Sequence, residues 1–177
     1  MNLRFVVCLC LSVSVRMESN GGAGSAEIVD TFLDYGFDAN AEDDEQLTLL
    51  MDVINETSMA SFECLKRRNQ VVASLLRAGA RVNHVDRFGR TALHIFVAKL
   101  SKLKTRSPST EEKNVELYKM LIAAGADVHA LDDKEQSVQG MIDRYNLFWL
   151  RGESYVPGGV FVSKVVVAIL FTQLISL

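Results

Sequence analysis

The chain has 177 residues, 49% of them hydrophobic and 23% charged, and a formal net charge of -3. That is one domain's worth of ordinary globular composition, able to bury a real core, and its acidic balance argues against a nucleic-acid-binding domain. Cys8, Cys10 and Cys64 are odd in number and have no zinc spacing, which excludes a disulfide framework and reads as thiols in a reducing compartment.

Charge is segregated along the chain. Met17 to Ala60 carries no Lys or Arg, whereas Ser61 to Lys113 holds most of the positive charge. One acidic end therefore lies beside a basic one.

Residues 1–25 form an N-terminal segment with two readings. MNLRFVVCLCLSVSV has a short basic start and an apolar stretch of signal-peptide length, with small residues near Gly21 to Ser25 where cleavage would fall. Alternatively, Leu3 to Cys8 lies over Leu93 to Ala98, and Arg4 precedes Gly36 by 32 residues much as His94 precedes Gly125 by 31. A working start at Met17 would leave a half-repeat. The run Asn20 to Ser25 lacks the Lys and preceding strand of a phosphate cradle and reads as a linker.

Residues 26–150 are organised by repetition. AEIVDTFLDYGFDAN (Ala26 to Asn40), QVVASLLRAGARVN (Gln70 to Asn83) and VELYKMLIAAGADVH (Val115 to His129) each place apolar residues at helical spacing ahead of Gly36, Gly79 or Gly125. Those glycines suit a helix C-terminus that must turn through the left-handed region. After each comes an acidic turn and a hydroxyl residue, Thr48, Thr91 or Ser137, positioned to cap a second type of helix.

Asp86, Gly89, Thr91, Leu93 and His94, with Leu75-Leu76, Gly79-Ala80 and Gly125-Ala126-Asp127-Val128, resemble the ankyrin repeat. Ala92 stands where the family pattern has Pro. The glycine spacings of 43 and 46 residues exceed the family period of about 33. The excess falls between the two helices of a repeat, in SMASFECLKRRN and SKLKTRSPSTEEKN, as longer helices or protruding loops. The resemblance implies an all-α, ankyrin-repeat-like helical solenoid of three to four imperfect repeats, since a lone helix pair cannot bury its own apolar face.

Residues 151–177 are expected to be an apolar C-terminal helix, the last degenerate repeat. Lys164 to Leu170 aligns with Gln70 to Leu76 and places Gln173 48 residues after Gly125. A bilayer-spanning reading of Val160 to Leu177 is at the short edge of what could cross. Asn55-Glu56-Thr57 would be a glycosylation acceptor only on the secretory route.

No catalytic constellation, cofactor motif or metal-ligand spacing is visible, so the chain is read as no enzyme. In the Thr-x-x-His motif, His94 belongs to a structural hydrogen-bond network, and Asp43 and Asp86 fit turn roles. Cys64 is read as a packing residue.

The resemblance implies a protein-binding scaffold or adaptor, cytoplasmic or nuclear, contacting its partner through turn tips and exposed parts of the first helices. Carried onto this chain, these are Asp44, Glu45, Leu47, Asn55 and Glu56, then Arg87, Phe88, Arg90 and Lys99, then Asp133, Lys134, Gln136, Arg144 and Tyr145. Phe88, between Arg87 and Arg90, has the composition of an interface hot spot. Lys66-Arg67-Arg68, Lys99, Lys102, Lys104 and Arg106 suggest an acidic partner, ahead of nucleic acid or an anionic membrane. Thr105 to Thr110 is a candidate phosphoacceptor segment. The alternative is a secreted or membrane-anchored protein carrying a small ankyrin-like domain.

Overall fold

The computed structural model describes residues 25–55, 62–103, 107–156 and 160–163. Helix α1 (Ser25–Asp34) is followed by α2 (Leu49–Asn55), α3 (Phe62–Arg77), α4 (Ala92–Leu100), α5 (Pro108–Ala123) and α6 (Val138–Arg144). A 3-10 turn, Phe148–Arg151, leads into β1 (Glu153–Val156), which pairs antiparallel with β2 (Val160–Ser163).

The helices stack in two rows. The first helices of each repeat, α2, α4 and α6, lie side by side, and the second helices, α1, α3 and α5, form the other row with the 3-10 turn added against α5. Contacts between α2 and α3 tie the rows together. The fold is thus the helical repeat solenoid expected from the sequence.

Local chemistry sets each boundary. At Gly36, Gly79 and Gly125 the backbone is left-handed, with φ of +82, +82 and +88°. The residue after each glycine then donates back five positions, as in Ala80 N to Leu75 O at 3.0 Å and Ala126 N to Leu121 O at 3.0 Å. These bonds occupy carbonyls that the helix end leaves open. At the other ends, Thr91 accepts from the His94 amide and Ser137 from the Gly140 amide, as the capping expectation required.

Part of the sequence excess is resolved as helix. Helices α3 and α5 each run 16 residues and begin at Phe62 and Pro108. Ser107 caps α5, exchanging bonds with Thr110, and Pro108 occupies the first turn, where its missing N–H costs nothing. Residues 56–61 and 104–106, with Glu56 among them, lie outside the described residues.

The core runs between the rows. Leu50, Ile54, Leu93, Phe96, Leu117 and Ile142 are at most 1% exposed. Each such side chain contributes roughly 1.5–3 kcal/mol by leaving water.

The C-terminal expectation needs correction. Residues 153–156 and 160–163 are strands of a hairpin, not part of a helix over 151–177. Gly152, at φ +75°, closes the 3-10 turn, and the β-branched and aromatic residues beyond it favour an extended chain. Residues 164–177, which carried the alignment with α3, lie outside the described residues, as do residues 1–24 with both N-terminal readings. Among the described residues no helix is long and apolar enough to cross a membrane.

Candidate partner-binding surface

Between the rows, three chain reversals form a line of tips, closed by bridges Glu42–Thr48, Val85–Thr91 and Leu131–Ser137. An aspartate builds each one. Asp43 Oδ1 accepts from the Glu45 and Leu47 amides at 2.8 Å, and Asp86 Oδ1 from Phe88 and Arg90 at 2.9 Å. Asp132 Oδ1 likewise accepts from Lys134 and Gln136 at 2.9 Å. The turn roles expected for Asp43 and Asp86 are what the structure gives them.

Neighbouring tips are linked through backbone. Arg87 N donates to Glu45 O at 3.2 Å, and Asp133 N to Phe88 O at 3.1 Å. Gly89 permits the second approach. A Cβ there would sit 2.6 Å from Asp133 Oδ1 and 3.0 Å from Asp133 N.

Asparagines repeat the linkage behind the tips. Asn40 Nδ2 donates to Gly79 O and its Oδ1 accepts from Arg81 N, while Asn83 Nδ2 donates to Gly125 O and its Oδ1 accepts from Asp127 N. His84 Nε2 lies 3.0 Å from Gln46 O, bridging back to the first tip.

His94 is 1% exposed. Its Nδ1 accepts from the Thr91 amide at 3.2 Å, so the ring proton sits on Nε2 and is donated to Gln136 O of the next repeat at 3.0 Å. With both nitrogens occupied, His94 is a structural residue. Among the described residues no group of His, Cys, Asp or Glu is arranged to hold a metal ion.

Phe88 is 44% exposed. The guanidinium carbons of Arg87 and Arg90 lie 4.7 and 4.9 Å from its ring centroid, one on each interaction. Arg87 also pairs with Glu45 at 3.3 Å, and Arg90 with Asp86 at 2.6 Å. Burial disfavours the charged Asp86, yet the Arg90 side chain and the Arg90 and Phe88 amides together hold its carboxyl below the ordinary aspartate value. The aromatic knob is therefore held in place before any partner arrives.

The other candidate positions divide. Asp44, Glu45, Asn55, Arg87, Asp133, Lys134, Arg144 and Tyr145 are exposed. Leu47 is half-buried against the core, Gln136 lends its carbonyl to His94, and Lys99 Nζ donates to Ile54 O at the end of α2. Those three serve the fold as well.

The basic insertion contains a residue that the sequence reading placed on the wrong side. Arg68 is 4% exposed, between α3 and α5. Its Nη2 bonds Asn69 Oδ1 and Asn114 Oδ1, both at 3.0 Å, and Asn69 Nδ2 bonds Lys113 O at 2.9 Å. The guanidinium also stacks on Phe96 of α4 at 5.5 Å. Burial pulls its pKa down to about 10, with Glu116 offsetting part of the effect. The signal was present: Arg68 follows Leu65 by three and precedes Val72 by four, on the apolar stripe of α3.

Residues 88–133 match the family model of the ankyrin repeat. That segment is similar to an ankyrin repeat. It runs from the tip at Phe88 through α4 and α5 to the next tip at Asp133, so the matched ankyrin repeat takes in the lengthened second helix. A comparison with curated proteins gave no match. Ankyrin repeats generally mediate protein–protein contacts and are typically non-enzymatic.

Proposed function

We propose that this chain is a non-enzymatic adaptor that binds another protein through its line of tips and the exposed ends of its first helices. Phe88 carries the proposal: a large aromatic left 44% exposed yet fixed between two arginines is an anchor that loses little side-chain freedom on binding. Asp44, Glu45, Arg87, Asp133 and Lys134 flank it along the tips, with Asn55, Arg144 and Tyr145 at the helix ends. A carboxylate-rich tip row disfavours nucleic acid and anionic membranes as partners. The cytosol is the proposed compartment.

The test is affinity capture from cells with the wild-type chain and Phe88→Ala. Phe88→Ala is expected to lose the specifically captured protein while its melting temperature stays within about 2 °C. Equal capture by both would end the proposal for this surface. Arg90 is a poor choice for that test, because Arg90→Ala would leave the buried Asp86 carboxylate without its ion pair.

A further inference from the structure

The tips at 42–47, 85–90 and 131–136 hold eight carboxylates against three cations. Two of those cations are already used: Arg87 by Glu45 and Arg90 by Asp86. Just behind the tips, Arg81 is likewise paired with Glu42 at 3.1 Å. By contrast, Asp44, Asp133 and Glu135 are exposed and have no ion pair among the described residues. Interleaved with them are three exposed apolar side chains, Val85 at 45%, Phe88 at 44% and Leu131 at 61%.

We infer, on the proposal above that the tips are the partner-binding surface, that the partner presents a cationic, apolar-bearing segment: Lys or Arg interspersed with large hydrophobic residues. The apolar side chains of that segment cover Val85, Phe88 and Leu131, and its cations face Asp44, Asp133 and Glu135. An acidic segment would meet the carboxylates of Asp44, Asp133 and Glu135 against the single tip cation Lys134, while the arginines that might have attracted it are already paired and the buried Arg68 is out of reach. The acidic partner suggested by the basic insertions is thus not the one that this face selects.

The test is selection of a displayed random-peptide library on the full-length chain. Selected peptides are then measured against Leu131→Ser and against the combined variant Asp44→Asn, Asp133→Asn, Glu135→Gln. Those substitutions keep side-chain shape at exposed positions, and unchanged melting curves confirm that the fold is intact. Enriched peptides rich in Lys or Arg and large apolar residues, weakened at least about ten-fold by each variant and by added salt, are the expected result. Acidic or uncharged peptides that lose binding to Leu131→Ser would overturn the inference and leave the tips as the partner surface. Selected peptides indifferent to both variants, or no enrichment at all, would overturn both.

Discussion

His94 Nε2 donates to the carbonyl of Gln136, 42 residues away, while His94 Nδ1 accepts from Thr91 three residues before it. One buried ring thereby fixes the start of α4 and the approach of the following tip. His94→Ala should destabilise the chain by about 2–4 kcal/mol, combining a cavity with unpaired polar groups at Thr91 and Gln136. Urea unfolding measures this; a loss below about 1 kcal/mol would mean that the ring is not holding the two repeats together.

Arg68 and Asn114 should be energetically coupled. Asn114→Ala leaves a buried guanidinium with one acceptor fewer, which costs about 1–3 kcal/mol. Arg68→Met removes the charge along with its need, and in that background Asn114→Ala should cost at least about 1 kcal/mol less. A double-mutant cycle with additive losses would contradict the bond at 3.0 Å between Arg68 Nη2 and Asn114 Oδ1.

Acid should weaken the tips through Asp86. Its folded-state pKa lies below the model-compound value of 3.8, so its contribution is fully present above that pH and disappears as pH falls through the lower folded value. Asp86→Asn should be less stable at neutral pH and lack this part of the acid dependence. Urea midpoints of the two proteins, followed from pH 7 down to about 2, would converge. Parallel curves would assign the acid loss to other carboxylates.

Two left-handed glycines should answer differently to alanine. At Gly36 nothing lies within 4 Å of a new Cβ, so Gly36→Ala carries only backbone strain, about 1 kcal/mol. At Gly89 the Cβ also meets Asp133, and the cost should be larger by about 1–2 kcal/mol. Equal melting temperatures would show that Asp133 swings away at no cost.

Much of this architecture was legible because helical repeats announce their punctuation. Gly36, Gly79 and Gly125 sit where a left-handed residue is needed, and Thr91 and Ser137 where a hydroxyl meets free amides. The period itself revealed the stacking. What escaped was context. Arg68 was classed by its charge among Lys66 and Arg67, although helical spacing places it with Leu65 and Val72, and only the nearby Asn69 and Asn114 make burial there tolerable. The hairpin of β1 and β2 escaped because a helix aligned over 164–170 was extended back across 153–163, where apolar character alone cannot separate an extended run from a helix. At the tips the sequence supplied Phe88 and its arginines, but the pairing of those arginines with Glu45 and Asp86 is a matter of three-dimensional reach.

The stack is fastened by two kinds of chemistry. Beyond the backbone and asparagine links, exposed pairs join neighbouring units: Arg77 with Asp30, Arg81 with Glu42 and Arg87 with Glu45. A buried group, Arg68, Asn69 and Asn114, ties α3 to α5, the same two repeats whose tips Arg81–Glu42 and Arg87–Glu45 join, and the buried His94 reaches the tip beyond them. Ionic strength reaches the former and barely touches the latter. Rising salt therefore screens the links between the tips, while the buried bonds of Arg68 and His94 keep the helices behind them closed.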